Sequence, residues 1–143
     1  METVPICFED VKRHNLVNCY VAGWGQTLHD PHERRLKEAR MKIIHRYSLD
    51  FFALIPNFSK LCQRHFAGNF FPRKQLCAKS QSRRHPGLPC HGDSGGPLIC
   101  QHKVSKNWFL TGIISWGADN CDVQKPTVFT KVRHYTDFIK NHF

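Results

Sequence analysis

The sequence predicts an all-β domain, and three observations carry that reading. Short runs rich in β-branched and aromatic residues recur along the chain, and Gly, Pro, Asn or Asp bound them. At 143 residues, with 41% hydrophobic and 22% charged side chains, the chain has enough apolar material for one domain with its own core. No repeat, low-complexity tract or linker divides it.

Taken in order, residues 19–24 (Cys-Tyr-Val-Ala-Gly-Trp) form the first candidate strand. Residues 36–44 are ambiguous. Their composition suits a helix, while Ala39, Met41 and Ile43 alternate with Glu38, Arg40 and Lys42 as in a half-buried strand. Residues 97–101, Trp108–Trp116 and residues 127–132 supply three more strands, each dense in Ile, Leu, Val, Phe or Thr. Near the end, Tyr135, Phe138 and Ile139 fall at helical spacing, with Lys140 and His142 suited to a helix C-terminus, so residues 135–141 are expected to be a short helix. The longest strongly apolar run, Phe51-Phe52-Ala53-Leu54-Ile55, is too short to span a bilayer.

Seven cysteines in so short a chain point to a disulfide framework and an oxidising compartment. No CxxC pair or cysteine–histidine array has the spacing of a zinc site, so neither a metal nor a cofactor is expected. The sequon Asn57-Phe58-Ser59 offers a glycosylation site and agrees with a secreted, extracellular protein. The opening Met1-Glu2-Thr3-Val4-Pro5 has no apolar stretch after it, and no signal peptide is visible. A chain that looks secreted without an export signal reads as a fragment, a shortened isoform or a truncated gene product.

The run Cys90-His91-Gly92-Asp93-Ser94-Gly95-Gly96-Pro97-Leu98 carries the chemistry. A serine hydroxyl is a weak nucleophile near neutral pH and needs a base to take its proton and a third group to orient that base. The glycines suit a backbone that turns sharply and presents N–H groups to a developing oxyanion. This run resembles the nucleophile loop of the trypsin/chymotrypsin-like serine proteases. Other landmarks follow in that family's order: Cys19-Tyr20-Val21-Ala22-Gly23-Trp24-Gly25, Leu76-Cys77-Ala78, Gly112-Ile113-Ile114-Ser115-Trp116-Gly117 and Pro126-Thr127-Val128-Phe129-Thr130-Lys131-Val132.

The resemblance covers residues 1–143 as a partial peptidase domain. It implies a single six-stranded Greek-key barrel, the second barrel of the chymotrypsin fold, with a short C-terminal helix, and it decides residues 36–44 in favour of a strand. It also implies the pairs Cys19–Cys100, Cys62–Cys77 and Cys90–Cys121, and leaves Cys7 over. In many members a cysteine at that place is bonded to a propeptide, whose counterpart is not in this sequence. The Ala-Ala-His-Cys segment that bears the family's histidine base is missing, as is the orienting aspartate, so the chain alone is expected to be catalytically inactive unless a missing N-terminal half completes it.

On the same resemblance, Ser94 is the vestigial or conditional nucleophile and the N–H groups of Gly92 and Ser94 form the oxyanion hole. Asp93 is the ion-pair partner of the amine created on activation. Leu88 stands at the base of the specificity pocket, where trypsin-like members carry aspartate, and Thr127 stands where most have a wall-lining glycine. His91 lies at the cleft rim, while Ser115, Trp116 and Gly117 flank an extended substrate. Such a pocket suits a small or modest apolar side chain, not a basic one. Between Ile44 and Cys62 about a dozen more residues stand than in a compact member, with residues 47–59 as the insertion; loop closure tolerates such a length.

None of the ten histidines forms an obvious replacement base. His29-Asp30-Pro31-His32 falls where the family has an exposed loop. Lys and Arg outnumber Asp and Glu, 21 to 11, for a formal net charge of +10. Clusters at Arg34-Arg35, Lys37, Arg40, Lys42, Arg73-Lys74 and Arg83-Arg84 offer a polyanion-binding surface and a third, non-catalytic binding role. No nucleic-acid motif accompanies them.

Overall fold

Antiparallel pairing closes six strands into a barrel in the order β1-β2-β3-β6-β5-β4. The computed structural model describes residues 15–27, 30, 33–44, 61–66, 68–82, 87–117 and 120–142. Cys7, the sequon at Asn57 and the 47–59 insertion lie outside these residues.

The first strand, β1, runs Leu16–Gly23. It starts earlier than the sequence suggests and stops before Trp24, which is 63% exposed. Cys19 and Val21 point into the core with Tyr20 between them on the outer side. A bulge interrupts the pairing between Val17 and Tyr20, and Asn18 there has φ 48°. Asparagine tolerates this left-handed conformation better than most residues. Its side-chain amide donates to Gln101 Oε1 at 3.0 Å and its carbonyl accepts from Arg40.

Lys37–Ile43 is a strand, β2, which settles the helix-or-strand ambiguity. Met41 and Ile43 are buried while Arg40 and Lys42 are exposed, the period-2 pattern of a sheet with one wet face. Helix-compatible composition yields because β1 takes one edge of this segment and β3 the other. The third strand, β3, is Gln75–Ser80. Ahead of it a one-turn helix, α1 (Leu61–His65), which the sequence reading lacked, is tied down by Cys62–Cys77.

The strands β4 (Pro97–His102) and β5 (Trp108–Trp116) form a hairpin whose turn places Lys106 at φ 63°. β5 has the expected bounds. β6, Thr127–Lys131, ends one residue early because Val132–Tyr135 coils into a 3-10 turn. The chain finishes in α2, Thr136–His142, so Tyr135 belongs to the turn and not to the helix. Lys140 and His142 in the last turn complement the negative end of its dipole.

Inward residues of all six strands fill the barrel. Leu98 and Phe129 are 0% exposed, Met41 1% and Leu76 2%. Gly112 lets β5 approach its neighbour, since a Cβ there would lie 3.1 Å from Phe129 Cβ. Burial of this completeness makes truncation costly through lost transfer energy and a residual cavity. Leu98→Ala is expected to destabilise the disulfide-intact chain by about 3 kcal/mol, whereas Val104→Ala, at a site 79% exposed, should stay within about 0.5 kcal/mol. Urea denaturation monitored by tryptophan fluorescence reads both, and equal midpoints would contradict this core.

Candidate functional site

The loop between Pro89 and Pro97 is assembled by contacts with two distant strands. Asp93 organises it. One carboxylate oxygen accepts the Gly25 N–H at 2.8 Å and the other accepts the Cys90 N–H at 3.0 Å. The main chain repeats the connection, with Asp93 N–H donating to Cys90 O and Gly96 N–H to Asp93 O, both at 3.0 Å. Gly95 N–H donates to Ile114 O and Ile114 N–H to Gly96 O, each at 2.9 Å, which ties the far side of the loop to β5.

Residue choice follows from these contacts. Gly92 and Gly95 have φ 94° and 83°, a region side-chain-bearing residues rarely enter. Gly25 permits close approach, because a Cβ there would overlap the Asp93 carboxylate; Gly23 is constrained in the same way. Thus Gly-Trp-Gly at the end of β1 and Gly-Asp-Ser-Gly in the loop form a matched pair.

Ser94 and Gly92 are exposed at the loop tip, while Asp93 is half-buried beneath them. Asp93, Gly95 and Gly96 commit their N–H groups to backbone acceptors. Those of Gly92 and Ser94 have no such acceptor among the described residues. Two uncommitted donors beside an exposed hydroxyl are the elements an acyl-transfer site needs on its nucleophile side. No histidine hydrogen-bonds the Ser94 hydroxyl among the described residues.

Other expected site residues distribute around this loop. His91 is exposed, and its carbonyl accepts the Gln26 N–H at 2.8 Å. Ser115 is exposed; Trp116 is half-buried and meets Phe66 edge-on, with ring centroids 4.5 Å apart. Thr127 is 3% exposed and packs against Gly117, where a Cβ would lie 3.5 Å from Thr127 Oγ1. Leu88 is half-buried, packs on the core and lines a cavity of about 440 Å³ with Val21, Gly25, Asp93 and Ile114. This cavity therefore opens on the carboxylate side of the loop. A second, of about 520 Å³, lies against Tyr20, Pro97, Ile99 and Trp108.

Three disulfides brace the site and the barrel: Cys19–Cys100, Cys62–Cys77 and Cys90–Cys121. The last joins the Asp93 loop to the segment before β6. It also brings His91 beside Cys121, and one ligand atom from each of Cys90, His91 and Cys121 lies within 4.8 Å of the others. Sequence spacing hides this cluster, because Cys121 stands 31 positions beyond Cys90, which adjoins His91, and only the fold unites them.

The basic residues are spread more widely. Arg34, Arg35, Arg73 and Lys74 are exposed, and Lys37 pairs with Glu33 at 3.4 Å. The N–H of Arg35 and the Lys37 ammonium together hold the Glu33 carboxyl below the usual carboxylate range. Arg40 lies over the Tyr20 ring at 6.0 Å, and Lys42 stands directly opposite Lys79 across β2 and β3. Arg83, Arg84 and the His29 and His32 of the 29–32 loop are outside the described residues. No helix among the described residues is long and apolar enough to cross a membrane.

Comparison with known proteins agrees with this geometry. Among solved structures the chain is similar to neuropsin, a serine protease expressed in the limbic system of mouse brain, with a TM-score of 0.69 and 31% sequence identity. The match covers 98% of this chain and 53% of that one, so the chain spans about half the length of that protease. The family model described as Trypsin matches residues 2–139. A closed six-stranded barrel, a loop built on Asp93 and a match along nearly the whole chain have one common account: this chain belongs to the trypsin family of serine proteases.

Proposed function

We propose that these 143 residues carry the nucleophile half of a serine endopeptidase site and are proteolytically inactive by themselves. One observation carries the reading: the loop offers Ser94 and two uncommitted N–H groups, yet no histidine is hydrogen-bonded to that hydroxyl among the described residues. In this role Ser94 is the nucleophile, the N–H groups of Gly92 and Ser94 stabilise the oxyanion, and Asp93 positions them through Gly25 and Cys90. The base and its orienting carboxylate come from a complementary half. Support for that half comes from the match itself, since 47% of the neuropsin chain is left uncovered.

Without a base, the serine proton has no acceptor as the nucleophile attacks, and a triad enzyme deprived of a member keeps only ~10³–10⁴-fold catalysis over water. In the completed enzyme, Leu88 supplies no carboxylate for a basic side chain, and Thr127 packed on Gly117 narrows the pocket. The favoured residue on the acyl side of the scissile bond is then small or modestly apolar.

A second reading, a polyanion-binding surface, is favoured by the exposed basic pairs Arg34-Arg35 and Arg73-Lys74. Clustered exposed cations attract a polyanion through a salt-screened field.

Three outcomes are expected. The isolated chain should react with a fluorophosphonate probe only at background; robust labelling of Ser94, lost in Ser94→Ala, would overturn the inactive reading. Gly25→Ala should drive the Asp93 carboxylate from its site and destabilise the fold by roughly 1–3 kcal/mol, read as a lower urea midpoint; an unchanged midpoint would mean that Asp93 does not organise the loop. On immobilised heparin, the paired changes Arg34→Ser with Arg35→Ser and Arg73→Ser with Lys74→Ser should each elute at lower salt than the parent chain, and identical elution of both would exclude these pairs.

A further inference from the structure

The Cys90–Cys121 disulfide differs from the other two in its surroundings. Cys19 and Cys100 are 4% and 0% exposed, and Cys62 and Cys77 are 4% and 2%. Cys90 and Cys121 are half-buried, and the exposed His91 stands beside them. Thiol–disulfide exchange requires an attacking thiolate to reach a sulfur atom, so a small dithiol meets this bond before the buried pairs.

Opening the bond would leave three ligands of the right kind in one place. Zinc binds thiolate sulfur at about 2.3 Å and imidazole nitrogen at about 2.0–2.1 Å, which puts the ligand atoms of a tetrahedral site roughly 3.5 Å apart. Cys90 Sγ, Cys121 Sγ and a His91 ring nitrogen already lie within 4.8 Å of one another. The two sulfurs need only separate to accommodate the ion. Backbone contacts limit how far they travel, since Cys90 bonds Asp93 through both N–H and carbonyl and the His91 carbonyl accepts from Gln26.

We propose that Cys90, His91 and Cys121 form a zinc-binding site in the dithiol-reduced protein. The dithiol supplies two electrons and two protons: the Cys90–Cys121 bond breaks, both sulfurs become thiols, and the reductant's own sulfurs close into a disulfide. Zinc then displaces the two thiol protons and takes a neutral imidazole nitrogen of His91, with water in the fourth position. Because Cys90 also donates to Asp93, the ion would replace the disulfide as the brace of the nucleophile loop. The site operates whether or not Ser94 reacts.

The test uses the full chain carrying Cys7→Ser, so that only the three bridges contribute thiols. After dithiothreitol treatment under native conditions and its anaerobic removal, alkylation and peptide mapping should find new thiols at Cys90 and Cys121, with the circular dichroism spectrum preserved. Cobalt(II) should then give thiolate charge-transfer absorption and tetrahedral visible bands that stoichiometric zinc abolishes. His91→Ala should weaken zinc binding by about tenfold or more, and Cys121→Ser should eliminate the charge-transfer signal. Opening of a buried bridge at the same dose, loss of the folded spectrum, cobalt binding without thiolate bands, or full affinity in His91→Ala would each overturn the proposal.

Discussion

Closure of the barrel between β1 and β4 is the constraint on which everything else depends. Those strands are 81 residues apart at the Cys19–Cys100 bridge, and their pairing turns an open six-strand ladder into a ring with no free edge. In the chain-entropy view a cross-link over that separation restricts the unfolded chain by about 4.5 kcal/mol, so the costliest long-range closure is also the one made covalent. Closure sets the end of β1 beside the start of β4. That adjacency is what allows Gly25 to reach Asp93.

Asp93 converts the topological constraint into local chemistry. A half-buried carboxylate needs hydrogen-bond donors, and the two it finds come from opposite sides of the seam: Gly25 after β1 and Cys90 within its own loop. Side chains at Gly23 and Gly25 would occupy the same space, so those glycines are set by the carboxylate and not by a turn of their own. The neighbouring N–H groups are thereby sorted. Those of Asp93, Gly95 and Gly96 are used in holding the loop, while those of Gly92 and Ser94 have no backbone acceptor among the described residues.

Legibility in the sequence followed the range of the interactions responsible. Trp108–Trp116 was readable to the residue because its apolar and β-branched run is bounded by Lys106-Asn107 before it and Gly117 after it. The ends of β1 and β6 shifted because a bulge at Asn18 and a 3-10 turn at Val132 are made by tertiary neighbours. Segment 37–43 carried a helical composition and a strand alternation together, and only ladder partners on both sides could decide between them. The helix Leu61–His65 had no signal beyond Cys62, since a single turn held by a disulfide needs neither caps nor periodicity. Within the site, Ser94 and its glycines were legible as a motif. The donors to Asp93 were not, because one of them lies 68 residues away.

Fold integrity and catalytic competence have separate requirements in this molecule. A six-strand ring satisfies its own backbone hydrogen bonds and fills its own interior, so the barrel asks nothing of a second barrel to complete its sheet. Proton transfer asks for much more, because the serine hydroxyl needs a base at hydrogen-bond distance and that base needs its own orienting partner. The loop's geometry is fixed by bonds to the residues after β1, to β5, within the loop itself and through Cys90–Cys121, and none of these involves the Ser94 side chain. The Asp93 loop can therefore persist in well-formed geometry wherever the barrel folds, independently of whether a base faces Ser94.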